Sequence, residues 1–346
     1  MERICYVHAG THKTGTTSVQ AFLAANRARL ARRDVLIPHA GCVTGELGAH
    51  HNVAWELRRD ERFRTEYGGV DALVDELRAS DAPVACISSE DFELLFHVPG
   101  ALVRLREAIE RSGRRARIVI YLRPQTSYCE SVYAEIVKHG FRTAFAEYVE
   151  DVLRLGRFEW GPYPGPPFDY ARLLDAFADA FGRDAILARR YDAGAANDVL
   201  PTTFAALLTG HPSAEAEYEI PPRLNGALAF DGVLRALGVA EPPVDASLPF
   251  TPLTAAQALR IVLRFAFSNA DVARRYHTTV SPVTAREIGR AVRAFAEPRW
   301  SRTLRTARAA LADSLGAGSH PAPRPRGRRV RGYSDGHERH GLAHRT

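Results

Sequence analysis

Paired cysteines, long apolar runs and a leader-like beginning are all missing from this 346-residue sequence. Without a C-x-x-C pair, the widely spaced cysteines indicate neither a zinc site nor a disulfide framework, and reduced thiols in a cytosol are the simplest interpretation. No apolar run is long enough to span a bilayer, and "MERICYVHAG" lacks the apolar region of a secretory signal. We therefore expect a cytoplasmic protein in which the four cysteines are reduced. They are Cys5, Cys42, Cys86 and Cys129.

The excess positive charge is concentrated near one end of the chain. The formal net charge is +6, and residues 320–346 carry seven arginines against Asp335 and Glu338, which leaves about +1 for the rest. This segment is rich in Pro, Gly, Arg and His and is predicted to be too polar to fold alone. A solvated, flexible tail over 319–346 is favoured, with contact to nucleic acid or anionic lipid as the alternative.

Short apolar segments alternate with amphipathic ones through the first half of the chain. The apolar segments predict buried parallel strands: "RICYVHA", "VLIPHA", "PVACISSE", "ARIVIYLR" and "AILARRY". Helices are predicted after "RICYVHA" and over 101–109, 127–137 and 168–181. This alternation predicts an α/β fold with a parallel β-sheet flanked by helices.

The strand pattern fades beyond residue 195, where the remaining apolar segments have helical spacing. We expect one α/β domain over 1–318, with a core over 1–195 and a helical C-terminal part over 196–318. The Pro/Gly/aromatic segment 158–170 is predicted to be a surface loop at the sheet edge.

The stretch "GTHKTGTTS", residues 10–18, follows the first predicted strand and precedes a predicted helix. Gly10 and Gly15 permit tight turns, and amides at a helix N-terminus bind anions. In a triphosphate loop the lysine follows the second glycine, whereas Lys13 precedes it. Such a loop also needs a strand that ends in an acidic residue to hold Mg²⁺. No predicted strand here ends in a convincing metal-binding aspartate, and the best acidic strand end is Glu90-Asp91. The sequence therefore favours an anion without a bound metal.

The segment "THKTGTTSVQ" resembles the 5′-phosphosulfate loop of sulfotransferases, which has the type Y-P-K-S-G-T-T-W, and is closer to bacterial members. The resemblance implies a P-loop-NTPase-like fold and 3′-phosphoadenosine-5′-phosphosulfate (PAPS) as the donor co-substrate, with no metal. It also implies that Lys13 is catalytic, stabilising the bridging oxygen. The donor-binding residues that it implies in this segment are Gly10, Thr11, His12, Lys13, Thr14, Gly15, Thr16, Thr17 and Ser18.

The same resemblance implies a second element at another strand end. The family holds the nucleotide 3′-phosphate with an arginine at a strand end and a serine eight residues later. Arg123 ends "ARIVIYLR", and Ser131 follows it at that spacing. A guanidinium presents a planar fork to phosphate oxygens. Tyr191, at the end of "AILARRY", is a further nucleotide-binding candidate, or an aromatic packed at the sheet end.

Two candidates compete for the base that deprotonates the acceptor. Glu90 follows a predicted strand, where open α/β sheets bind ligands. Alternatively, its carboxylate satisfies free helix amides. The rival is His50 or His51 in "GAHHNVAWEL", which would otherwise be a solvated loop before a helix capped by Asn52. His12 is less favoured as a base because it lies inside the loop.

The resemblance implies sulfuryl transfer to a hydroxyl of a carbohydrate, glycolipid or small natural product. Two other functions stay open at this point. One is a small-molecule kinase that uses ATP and Mg²⁺, which the position of Lys13 disfavours. The other is a non-enzymatic nucleic-acid-binding protein acting through the basic tail, which the nearly neutral remainder of the chain disfavours. No specific nucleic acid is therefore expected as a partner.

Overall fold

The computed structural model describes residues 2–43, 48–160, 163–191, 196–212, 217–222, 230–237 and 251–281. The predicted tail over 319–346 and the predicted helices beyond residue 281 lie outside these ranges. Within the described ranges, no helix combines the length and the apolar character needed to cross a membrane.

Five strands form one parallel sheet with the order β2-β3-β1-β4-β7. They are β1 (Ile4–His8), β2 (Val35–Leu36), β3 (Val84–Ser88), β4 (Arg115–Leu122) and β7 (Ile186–Arg190). All five coincide with predicted segments, so the predicted parallel α/β fold is confirmed. Within the predicted loop 158–170 there is in addition a two-stranded antiparallel pair, β5 (Glu159–Trp160) and β6 (Tyr163–Pro164).

Helices surround the sheet on both faces. They are α1 (Thr16–Ala25), α2 (Arg27–Ala31), α3 (His51–Arg58), α4 (Val70–Ala79), α5 (Ala101–Arg111), α6 (Gln125–Lys138), α7 (Phe145–Leu155), α8 (Tyr170–Phe181), α9 (Ala196–Thr209), α10 (Phe230–Ala236) and α11 (Ala255–Tyr276). Short 3₁₀ helices span Thr65–Tyr67, Glu90–His97 and Arg183–Ala185. The described elements after Tyr191 are helices, in line with the fading strand pattern.

The alternation of side chains along each strand divides the apolar core into two layers. Ile118 and Ile120 of β4 pack into the layer under α3 to α8, α10 and α11. Val119 and Tyr121 of the same strand point to the other face, where α1, α2 and α9 cover them. This period of two is the expected geometry of a strand buried on both faces. The sheet is therefore enclosed, and its carboxyl edge carries the loops that follow the strands.

A buried polar contact joins the late helix α11 to the first turn of α6. The Gln125 amide donates to Asn269 Oδ1 at 2.8 Å, and the Asn269 amide donates to Gln125 Oε1 at 3.1 Å. The Ser281 hydroxyl donates to the same Gln125 oxygen at 3.0 Å. Since α6 follows directly on Arg123, α11 supports the helix that carries part of the predicted site.

This contact gives a stability prediction. Asn269→Leu should lower the free energy of unfolding by about 1–3 kcal/mol, because the buried Gln125 amide loses a donor and an acceptor at once. Urea unfolding of the purified protein measures the change. Phe267→Ala is the matched control on the same helix, because the side chain is 89% exposed and its loss should cost less than about 0.5 kcal/mol. Equal losses in the two variants would contradict the assignment.

Candidate active site

The glycine loop over residues 9–15 extends the sheet before it turns into α1. Ala9 N–H donates to Val119 O at 2.9 Å, Tyr121 N–H to Gly10 O at 2.7 Å and Thr11 N–H to Tyr121 O at 3.0 Å. The pairing of β1 with β4 thus continues past the end of β1. The loop is anchored on the middle strand of the sheet, between the ends of β3 and β4.

The turn itself relies on left-handed backbone conformations. Gly10, Lys13 and Gly15 have φ values of 87°, 58° and 77°. A Cβ atom at Gly15 would lie 2.8 Å from Leu200 Cδ2 and 3.3 Å from Tyr191 Cε2. Gly15 therefore meets both a conformational and a steric requirement, immediately before the first turn of α1.

The hydroxyl groups predicted to contact the donor fall into two sets. Thr11 and Thr14 are buried and bond within or below the loop, Thr11 Oγ1 to Tyr121 O at 3.1 Å and Thr14 Oγ1 to Thr11 O at 2.5 Å. The second set lies in the first turn of α1, where backbone amides have no partner within the helix: Thr16, Thr17 and Ser18. The first set shapes the loop, and the second set lies at the helix N-terminus where an anion would bind.

The Lys13 side chain leaves the loop toward α6. Its ammonium donates to Glu135 Oε2 at 2.8 Å. Lys138 Nζ also donates to this oxygen at 2.9 Å, and His139 Nε2 lies 3.4 Å from Glu135 Oε1. Burial opposes ionisation of Glu135, but these partners hold its pKa well below the usual range. Sequence reasoning missed Glu135, since nothing in the linear pattern pairs it with residue 13.

Arg123 joins the two predicted binding elements. Its NH1 donates to Lys13 O at 3.1 Å, and its Nε donates to Ser127 Oγ at 3.1 Å. The guanidinium carbon lies 5.7 Å from the centroid of the Tyr191 ring. The ends of β1, β4 and β7, which are far apart in the sequence, therefore bring together the glycine loop, Arg123 and Tyr191.

Ser131 lies on α6, eight residues after Arg123, and is half-buried. Ser127, Ser131 and Glu135 follow each other at intervals of four and so share one face of the helix. Arg123 itself bonds to Ser127 rather than to Ser131. Sequence reasoning missed Ser127, although a serine one turn into the helix was visible in "RPQTS".

Glu90 is the first residue of the 3₁₀ helix that follows β3. The cap of that helix is Ser89, whose Oγ accepts the Asp91 N–H at 3.1 Å. The Glu90 carboxylate instead accepts the Gln20 amide of α1, Nε2 to Oε2 at 2.6 Å. Burial opposes its ionisation, but the charges of His51 and His12 and the Gln20 hydrogen bond together lower its pKa. An ionised carboxylate thus lies beside the loop. It does not cap the 3₁₀ helix, because Ser89 does so.

His51 lies next to Glu90, so two of the candidates for the base belong to one cluster. Its Nε2 is 4.0 Å from Glu90 Oε2, and its Nδ1 is 2.8 Å from Ser89 Oγ. The ring stacks on Trp55 with centroids 5.7 Å apart. The Trp55 indole N–H donates to Asp91 Oδ2 at 2.5 Å. This packing holds the His51 ring beside the carboxylate.

His50 faces away from this cluster and is fully buried. Ser88 N–H donates to His50 Nδ1 at 3.1 Å, which leaves Nε2 to donate to Pro38 O at 3.2 Å. Burial lowers the pKa of His50 to about 3. Both ring nitrogens therefore make hydrogen bonds to backbone groups, and this arrangement does not favour His50 as the base. Asn52, expected to cap α3, instead holds the 64–68 turn through Arg64 and Gly68.

His12 links the glycine loop to the 3₁₀ helix through a buried ion pair. Its Nδ1 and its backbone N–H both contact Glu93 Oε1, and its Nε2 lies 3.7 Å from Asp91 Oδ1. Burial disfavours the imidazolium, but the carboxylates of Glu93, Glu90 and Asp91 outweigh it and raise the pKa of His12 to about 9. His12 thus orients the loop, and Glu93 is a further residue that sequence reasoning missed.

The geometry defines a parallel α/β protein whose carboxyl edge brings a glycine loop at a helix N-terminus together with a neighbouring ionised carboxylate. Lys13, Arg123 and the amides of α1 can hold an anion, and Glu90 with His51 can accept a proton beside it. Among the described residues, no group of three or more His, Cys, Asp and Glu side chains is arranged to hold a metal ion.

Comparison with solved structures shows a likeness to a known protein. The crystal structure of a sulfotransferase from Alicyclobacillus acidocaldarius is similar, with 17% sequence identity and a TM-score of 0.47. The match covers 80% of this chain and 97% of that protein. A likeness this distant carries no argument about activity. No protein-family model matches the sequence, and no curated protein matches it.

The His12 contact predicts a pH dependence of stability. The folded state binds the proton more tightly than the unfolded state, whose pKa is 6.5, so the stabilisation is complete below that pH. It is lost as the pH rises through about 9. Between these values the wild type should lose on the order of 1–3 kcal/mol relative to His12→Gln.

Denaturant unfolding at a series of pH values measures this difference. His97→Gln is the control, because burial lowers the pKa of His97 to about 4 and the ring is neutral throughout the window. Parallel curves for the wild type and His12→Gln would show that His12 is not charged in the folded protein.

Proposed function

We propose that this protein is a sulfotransferase that moves a sulfuryl group from PAPS to a hydroxyl group. One observation carries the proposal: Arg123 donates to the Lys13 carbonyl at 3.1 Å. The two sequence elements of the resemblance lie 110 positions apart in the chain, and the fold places them in direct contact. Neither element alone is specific, whereas their contact lies at the carboxyl edge of a parallel sheet, where open α/β folds bind ligands.

The residues present fit such a donor. The amides of the first turn of α1 and the Lys13 ammonium are suited to the 5′-phosphosulfate, and the Arg123 fork is suited to the 3′-phosphate. Lys13 already contacts an anionic oxygen, that of Glu135, at 2.8 Å. Ser131 and Tyr191 would complete the contacts to the nucleotide.

The transfer follows from the placement of charges around the loop. The acceptor hydroxyl gives its proton to Glu90 while its oxygen forms a bond to sulfur, and the bond between sulfur and the 5′-phosphate oxygen breaks. Adenosine 3′,5′-bisphosphate leaves with the electron pair of that bond. Lys13 stabilises the charge that develops on the departing oxygen, as in phosphoryl transfer. His51, 4.0 Å from Glu90, keeps the base ionised before the reaction.

The acceptor is proposed to be a hydroxyl of a carbohydrate, glycolipid or small natural product. The proton acceptor and the loop lie side by side, since a Cβ atom at Gly10 would be 3.4 Å from Glu90 Cα. A screen of alcohols with labelled PAPS identifies the class by transfer of the label.

Donor binding gives the first functional prediction. The wild type should bind adenosine 3′,5′-bisphosphate, and Arg123→Ala should weaken binding at least about tenfold, because charge-assisted hydrogen bonds to phosphate are lost. Isothermal calorimetry measures both affinities. Arg117→Ala, on the same strand but bonded to the Asp184 carbonyl, is the control and should bind normally. No binding by the wild type, or undiminished binding by Arg123→Ala, would refute the proposal.

The identity of the base gives the second functional prediction. Glu90→Gln should lower turnover at least ~100-fold, the range for loss of a general base, and leave affinity for adenosine 3′,5′-bisphosphate nearly unchanged. Initial rates with PAPS and a responsive acceptor measure the effect. Glu56→Gln is the control, since that carboxylate accepts the Val70 N–H of α4 and should not affect transfer. A comparable loss in His51→Ala with an active Glu90→Gln would assign the base to the histidine.

A further inference from the structure

Gln20 is a buried amide on the same helix whose first turn forms the anion site. It lies in the second turn of α1, and the residue is 2% exposed. Its Nε2 donates to Glu90 Oε2 at 2.6 Å. The segment that would hold the donor therefore makes a direct side-chain contact with the carboxylate that would act on the acceptor.

The surroundings of Glu90 give the two carboxylate oxygens different roles. Gln20 of α1 and His51 of α3 both approach Oε2, at 2.6 Å and 4.0 Å. His12 of the loop contributes charge from a third side, and Asp91 contributes opposite charge from the same 3₁₀ helix. In the part of the chain that the structure describes, no hydrogen bond to Oε1 occurs, so this oxygen is available for an acceptor.

A second contact already determines how far apart the two segments are. His12 bonds to Glu93 through its ring and its backbone amide, which ties the loop to the 3₁₀ helix. Residues 10 and 90 also approach closely through their backbones. The proximity of the segments therefore does not depend on Gln20. What Gln20 adds is the orientation of one carboxylate, because its amide engages a single oxygen.

We propose that Gln20 is a positioning residue for sulfuryl transfer, which holds Glu90 Oε2 so that Oε1 is directed to the acceptor hydroxyl. The inference rests on the proposed function, because it assumes that Glu90 is the base. A misplacement of about 1 Å in a reacting group can reduce a rate about a hundredfold. A purely structural glutamine would instead contribute to stability alone, with no effect on kcat in the folded protein.

The test is Gln20→Met, which keeps the length of the side chain and removes the amide. We expect kcat to fall about tenfold to a hundredfold, with affinity for adenosine 3′,5′-bisphosphate within about threefold of the wild type. The pKa of Glu90 should rise, because the hydrogen bond that favours its carboxylate is lost. The acid limb of the pH profile of kcat/KM should move to higher pH by the same amount.

The matched control is Asn26→Leu, at the other end of α1. The Asn26 amide donates to Phe22 O and Glu219 O, so the variant also loses buried amide bonds on this helix. It should unfold at a lower temperature but keep the wild-type pH profile and the wild-type pKa of Glu90. A shift of the acid limb in Asn26→Leu equal to that in Gln20→Met would overturn the proposal.

A second readout separates this inference from the proposed function. NMR titration of carboxyl-labelled glutamate, assigned with Glu90→Gln, follows the pKa of Glu90 without any substrate. An unchanged pKa in folded Gln20→Met overturns the role of Gln20, whatever the activity of the protein. Failure of the wild type to bind adenosine 3′,5′-bisphosphate refutes the proposed function instead. If Gln20→Met does not fold, Gln20→Ala also removes the amide and should raise the pKa of Glu90, because the hydrogen bond that favours its carboxylate is lost.

Discussion

The backbone hydrogen bonds that join the glycine loop to β4 are the constraint on which the rest of the site depends. They extend the pairing of β1 beyond the strand, to Thr11, before the chain turns into α1. Because β1 is the middle strand, its loop is flanked by the ends of β3 on one side and β4 on the other. Parallel strands place all these ends at one edge of the sheet. Glu90 follows β3, Arg123 follows β4 and Tyr191 follows β7, so each meets the same loop.

The charged side chains of the loop are paired, and the pairs determine its orientation. His12 is held between Glu93 and Asp91, and Lys13 contacts Glu135 of α6. An unpaired buried charge costs several kcal/mol, so the buried imidazolium of His12 depends on its carboxylate partners. The consequence is that successive residues of the loop face opposite sides of the sheet edge. His12 is directed to the 3₁₀ helix that begins at Glu90, and Lys13 to the helix that follows Arg123.

The fold class could be predicted because it depends on local patterns. Continuous apolar segments such as "ARIVIYLR" can only be buried between two layers of helices, and glycine at residue 15 marks a turn that other residues would strain. The short pair β5 and β6 could not be predicted, because Pro and Gly in 158–170 obscure the alternation of a strand. The residues that contact the predicted site residues could not be predicted from the sequence either. Glu93, Gln20, Ser127 and Glu135 are ordinary helix residues until the packing of three different helices brings them to the loop.

The sequence by itself determined the succession of the main strands and helices along the chain. It also determined the strand-loop-helix unit around Lys13 and the spacing of Arg123 from the serines of α6. These follow from periodicity and from residues with restricted backbone choices. Only the tertiary structure decided which of the two adjacent histidines lies beside Glu90. His50 bonds to the backbone of β3, whereas His51 is directed toward Glu90. Neighbouring residues at the start of a helix point about 100° apart, so their surroundings differ completely while their sequence contexts are almost the same. For the same reason, which side chain meets a buried carboxylate depends on contacts between distant segments, and these are specified by packing rather than by local pattern.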